Sequence, residues 1–166
     1  AMDRGDADLM RMIFWEDGGF GPGKPAATAK DFVDPLVVAM TAKYEATHHS
    51  VSNILVELNG PVAFAESYAT VYHRTFPNRQ SNESVLGPDW LNSGAINPDA
   101  SHDLIAGVRY CDRLQKRGAE WRISIRNLIF DWTRVEPSNQ FGFGALNDKT
   151  LLGRRGERDF SNQDAC

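Results

Sequence analysis

The feature that most restricts the fold is a change of hydrophobic period near residue 47. Upstream, Phe32, Leu36, Val37, Met40 and Tyr44 recur at helical spacing. Downstream, "THHSVSNILVEL" alternates in the period-two manner of a strand, and "NG" then separates it from a second alternating run. An Asn-Gly pair between two such runs is the strongest short signal for a β-hairpin. Thr47–Leu58 and Pro61–Phe76 are therefore expected to pair antiparallel about Asn59-Gly60. His102–Arg117 and Trp121–Val135, turned by "RGAE", form a second pair of the same kind. Helices followed by four long antiparallel strands define an α+β domain. A strongly curved sheet wrapped around its helices has a concave face, the usual place for a ligand.

The remaining elements follow from end signals. Asp6 is placed to cap a short helix reaching about Phe14, with Leu9, Met10, Ile13 and Phe14 at helical spacing. Thr28 is expected to cap a longer helix ending near Ala46. "EDGGFGPGKP", Glu16–Pro25, reads as a loop by its Gly and Pro content, and it matches neither phosphate-binding glycine pattern. Pro77–Ser101 is polar and rich in turn residues, so it reads as a long loop or lid. The expected division is a domain over residues 1–135, with a tail over 136–166 that packs on the domain or on a neighbouring subunit.

A length of 166 residues suits one hydrophobic core. With 42% apolar residues and 24% charged, the chain is a globular protein. The net charge of −4, with dispersed Lys and Arg, argues against nucleic acid as a partner. No apolar run approaches the ~18 to 20 residues of a membrane span, and no leader pattern precedes the first helix, so a cytoplasmic protein is expected. Cys111 and Cys166 form no framework; they read as a buried thiol and a tail thiol. Because the chain opens "AMDRGD", either it starts inside a longer junction or Ala-Met is an added remnant.

Alternation sends the adjacent His48 and His49 to opposite faces of their strand, so they cannot both bind one ion, and no HxH or HExxH pattern accompanies them. His49 is then a single candidate base, since a neutral imidazole accepts a proton near neutral pH once a carboxylate orients it. On a regular strand Asn53 would share His49's face.

"MDRGDADLMRMIFWEDGGF", "THHSVSNILVEL", "YATVYHR", "VRYCDRLQKRGAEWRISIRNLIFDWTRV" and "LGRR" occur in an order that resembles the SnoaL-like branch of the nuclear transport factor 2-like superfamily. The Pro77–Ser101 segment is the chief departure. The resemblance implies a cone-shaped α+β barrel around an apolar pocket. It also implies metal-free proton chemistry without a cofactor, as in scytalone dehydratase, bile-acid dehydratase, hexachlorocyclohexane dehydrochlorinase, polyketide cyclases and formaldehyde lyases of lignin-derived diaryl compounds. It maps a catalytic Asp–His dyad onto Asp3 and His49, and a charge-stabilising arginine onto Arg126. Strict alternation from Trp121 puts Arg126 on the wrong face, so that role requires a bulge. Asn53, Tyr110, Asp112, Phe14 and Trp15 are expected to contact substrate, and Asp131 to be structural. The position of a tyrosine that the dehydratases carry about one turn before the Asp falls ahead of the first residue of this sequence.

The function expected on this basis is a lyase that eliminates water or formaldehyde from a hydrophobic aromatic or polycyclic substrate, within a homodimer or homotrimer. The alternatives are an isomerase or aldol cyclase, a non-catalytic binding or assembly domain, and the small subunit of a ring-hydroxylating dioxygenase.

Overall fold

The computed structural model describes residues 1–21 and 27–138. A single 3-10 turn, Met2–Arg4, precedes α1 (Ala7–Ile13), β1 (Phe14–Phe20), α2 (Ala29–Lys43), β2 (Tyr44–Asn59), β3 (Val62–Thr75), α3 (Arg79–Leu86), α4 (Pro88–Asn92), β4 (His102–Arg117) and β5 (Glu120–Pro137). The architecture is mixed α+β, with one curved, unclosed sheet in the order β1-β5-β4-β3-β2. Strands β2 to β5 are antiparallel neighbours, and β1 joins the outer edge of β5 in parallel.

Local chemistry explains most of these boundaries. Asp6 accepts the backbone N–H of Leu9 at 2.8 Å and so caps α1. Thr28 precedes α2 as expected, but its hydroxyl binds the Asp31 carboxylate at 2.7 Å and caps no backbone group. The helix ends at Lys43 rather than Ala46, because β3 offers Tyr44 and Ala46 ladder partners.

Two loop expectations need correction. "EDGGF" is the body of strand β1, and residues 22–25 of the expected loop lie outside the described residues. A Cβ on Gly18 would lie 2.8 Å from the carbonyl oxygen of Ile123 and 2.9 Å from that of Ser124, so its bare backbone permits the approach to β5. The second is Pro77–Ser101, which holds α3 and α4. Asn78 caps α3 by accepting the N–H of Ser81 at 2.8 Å, and Pro88 occupies the first turn of α4. Polar composition concealed them because each buries little apolar surface. The expected tail from 136 onward lies outside the described residues beyond 138, except that β5 itself runs to Pro137.

Four one-residue irregularities interrupt the antiparallel pairs, one of them at Glu45, where β2 starts, and the other three curve the long strands and reset their alternation. In β2, Ser52 faces Tyr68 and Leu55 faces Glu66, so one residue near Asn53 is extra; Asn53 has φ +49°. In β5, Ile123 faces Leu114 and Ile125 faces Arg113, leaving Ser124 over, and its hydroxyl donates to the Arg113 carbonyl at 2.9 Å. Asp131 is extra in the same way opposite Gly107 and Val108.

The core lies between the concave face and the helices. Met10, Phe14, Ala29, Val33 and Ile123 form one buried cluster, with the Phe14, Phe20 and Phe32 rings 5.1 to 5.7 Å apart. Ala69, Val71, Ala106 and Val108 form a second on the sheet floor. Phe14 is 1% exposed and joins α1, α2 and β5. Phe14→Ala should therefore cost about 3 to 5 kcal/mol of unfolding free energy in urea titration; a loss under about 1 kcal/mol would mean that this cluster does not hold the helices to the sheet.

Candidate active site

Asp3 is positioned by the turn that carries it. Gly5, at φ +66°, closes the 3-10 turn in the left-handed region and brings the Asp3 side chain to the start of β2. There one carboxylate gathers three donors from a single strand. Oδ2 accepts the backbone N–H of His49 at 2.9 Å, and Oδ1 accepts the Thr47 hydroxyl at 2.9 Å and lies 2.6 Å from His49 Nδ1. Since β2 is an edge strand, the His49 N–H accepted by Asp3 is one that β3 does not use.

Burial alone would raise the Asp3 pKa. The hydrogen bonds and charge of His49, with the Thr47 hydroxyl, outweigh it and hold the carboxyl well below the usual carboxylate range. An ionised Asp3 fixes the His49 tautomer, with the Nδ1–H donating to the carboxylate and Nε2 directed away from it. His73 Nε2 lies 3.5 Å from His49 Nε2, and the centres of the Tyr44 and His73 rings are 4.6 Å apart. Burial pushes the Tyr44 phenol pKa up.

These groups open on a cavity of about 670 Å³, lined by Asp3, His49, His73, Tyr44, Tyr110 and Arg126 among apolar side chains of α1, α2, α3 and the sheet. Arg126 reaches it because Ser124 is extra, so the bulge its expected role required is present. Its Nε donates to Asp112 Oδ1 at 2.7 Å and its Nη2 to Oδ2 at 2.6 Å, and the guanidinium lies 4.4 Å from the centre of the Tyr110 ring. Nη1 has no hydrogen-bond partner among the described residues. Burial raises the Tyr110 phenol pKa despite the nearby Arg126 charge.

The other expected contacts lie elsewhere. Asn53 is exposed at its bulge and does not line the cavity. That bulge reverses alternation, so Leu55 and Glu57 also leave the face of His49. Trp15 binds the Gln115 carbonyl at 2.9 Å and packs against Arg117 and Arg122 at 4.8 and 5.0 Å, in a separate shallow groove. Phe14 belongs to the core, 5.8 Å behind the Arg126 guanidinium, and Asp112 supports that arginine instead of lining the cavity. Asp131 receives Arg109 at 2.9 to 3.2 Å on the far face. His48 is exposed beside Ser50. Among the described residues no group of three His, Cys, Asp or Glu side chains is arranged to hold a metal ion, and no helix is long and apolar enough to cross a membrane.

His73 and Tyr44 were not anticipated. Counted evenly from the Asn59-Gly60 turn, His73 would face His48; the extra residue near Asn53 moves it opposite Thr47, on the face of His49.

An open α+β barrel with a histidine–carboxylate pair inside an apolar cavity defines a class of small-molecule pocket proteins. The SnoaL-like domain family matches residues 1–127, and the chain belongs to that family, within the nuclear transport factor 2-like superfamily. The fold is shared with hexachlorocyclohexane dehydrochlorinase (LinA) type 2, at 14% identity over 87% of this chain and 85% of that one, TM-score 0.59. It is shared too with a protein provisionally named scytalone dehydratase from Novosphingobium aromaticivorans, at 19% identity over 85% and 83%, TM-score 0.57. Kfla4162 from Kribbella flavida has 16% identity over 76% and 78%, TM-score 0.56. No curated protein matches the chain in sequence.

Because the Asp3 pKa is lower in the folded chain than its ordinary value of 3.8, the stability it contributes is complete above about pH 5 and is lost as pH falls through the folded value. The unfolding free energy of the parent should therefore decline from about pH 4 downward more steeply than that of Asp3→Asn. Parallel acid limbs in denaturant titrations would show that Asp3 is not held ionised by its partners.

Proposed function

We propose that this protein is a cofactor-independent lyase that removes a proton from a hydrophobic, aromatic or polycyclic small molecule and expels water or formaldehyde. The observation that carries this reading is the His49 imidazole, held at Nδ1 by Asp3 and set at the wall of an apolar cavity. His49 Nε2 takes the proton from a carbon beside an electron-withdrawing group. Asp3 offsets the charge of the imidazolium that forms. In dehydration the electron pair of the broken C–H bond becomes the new double bond and the hydroxyl departs with its own pair. In formaldehyde loss His49 instead takes the O–H proton of a hydroxymethyl group, the O–H pair becomes the C=O of formaldehyde, and the C–C pair becomes the new double bond as a hydroxyl on the next carbon departs. In dehydration the imidazolium then returns its proton to the departing hydroxyl, so water leaves and His49 is again neutral. His73 Nε2, 3.5 Å from His49 Nε2, stands where it can hold that oxygen. The Arg126 guanidinium, held in place by Asp112, stabilises negative charge that develops on an enolate or leaving group.

The fold relatives named as a dehydrochlorinase and a dehydratase are in keeping with elimination. Return of the proton to a different carbon would make the same pair an isomerase, a reading favoured by the second imidazole beside His49. Ile54, Leu55, Val56 and Leu58, each more than half exposed on the β2 edge, support a homodimer or homotrimer.

The test is a panel of diaryl propanoids, hydroxysteroids and polyketide precursors, with product formation and solvent deuterium uptake followed by mass spectrometry. On the accepted substrate His49→Ala should lose about 100- to 10,000-fold in kcat, and Asp3→Asn a smaller part of that. Turnover by His49→Ala equal to that of the parent would remove this residue from the mechanism.

A further inference from the structure

The segment joining β3 to β4 is tied to the sheet by one side chain. Asn82 of α3 is fully buried, as are Thr75 at the end of β3 and His102 at the start of β4. Its Nδ2 donates to the carbonyls of Pro98 and Ala100 at 2.7 and 2.8 Å. Its Oδ1 accepts the Thr75 hydroxyl at 2.6 Å and lies 3.2 Å from His102 Nδ1. The Thr75 hydroxyl also accepts the backbone N–H of His102 at 2.9 Å. An amide has two donors and one acceptor oxygen with two lone pairs, so Asn82 is saturated by groups from four separate positions. A second tie, from the Ser81 hydroxyl to the Lys43 carbonyl at 2.5 Å, fixes the same turn of α3 to the end of α2. One helical turn beyond Asn82, on the same side of α3, Val85 forms part of the cavity wall together with Tyr44 and His73.

We infer that α3 is a latched wall of the cavity, in which Val85 sets how far the apolar end of a ligand can extend and Asn82 is the positioning residue that holds Val85 there. The chemistry that fits is an apolar alkyl or ring substituent, because the only group α3 gives the cavity is that isopropyl side chain. The saturated amide makes the wall a fixed stop: moving α3 would break several buried hydrogen bonds together.

A homologous series of 4-n-alkylphenols, butyl to nonyl, measures that stop by isothermal titration calorimetry. Affinity of the parent should rise ~4-fold per methylene up to a cut-off length and then cease to rise. Val85→Ala should move the cut-off outward by about one or two carbons and Val85→Phe inward by about as many. Asn82→Ala should erase the cut-off and speed amide exchange in α3 by ~10-fold or more relative to β4. If Asn82→Ala does not fold, the two Val85 variants decide alone. A cut-off unmoved by both, exchange in α3 unchanged in a folded Asn82→Ala, or a parent that binds none of the series overturns the inference. Binding is read without turnover, so the result does not depend on whether the protein is a lyase.

Discussion

Which side chains join Asp3 and His49 at this site depends on how long strands lose their alternation. A regular strand sends successive side chains to opposite faces for its whole length, and one extra residue reverses every assignment beyond it. Strand β2 has 16 residues and β5 has 18, and each is interrupted. The interruption near Asn53 places His73 beside His49, and the one at Ser124 turns Arg126 inward to meet Asp112. The same interruptions bend the sheet around the helices. Curvature and the composition of the cavity therefore have one structural origin.

The charged groups of the site are held more firmly than those of the surface. Asp3 receives three donors, and Arg126 and Asp112 meet in a two-bond fork with Asp112 only 9% exposed. Partners this well satisfied have fixed orientations, and fixed orientation is what proton transfer and charge stabilisation require. By contrast Arg117–Asp17 and Arg134–Glu136 join exposed side chains, where water and salt screen the pair and each contributes little.

Much of this could be read in advance wherever the signal was local. The Asn59-Gly60 hairpin, the β4–β5 hairpin, the Asp6 cap and the opposite orientation of His48 and His49 each follow from a few adjacent residues, and each is present. What escaped notice was non-local. Strand β1 exists because Gly18 can approach a bulged β5, and α3 is held by an asparagine whose partners lie 7 to 20 residues away. Neither leaves an apolar period. The expected positions of Asn53, Trp15 and Phe14 failed for a related reason: Asn53 assumed a regular strand where the structure has a bulge, and Phe14 and Trp15, expected between a helix end and a loop, belong to strand β1, one in the core and the other in a separate groove.

Taken by itself, then, the sequence determined an α+β domain with long antiparallel hairpins and nominated His49, with Asp3 as its partner by resemblance. Periodicity and turn chemistry are properties of neighbouring residues, so they survive without a structure. The tertiary structure alone decided that Asp3 lies 2.6 Å from His49 Nδ1, that His73 joins them, and that Arg126 faces the same cavity. Those contacts join residues up to 46 positions apart through bulged strands, and only the folded register specifies where each side chain points.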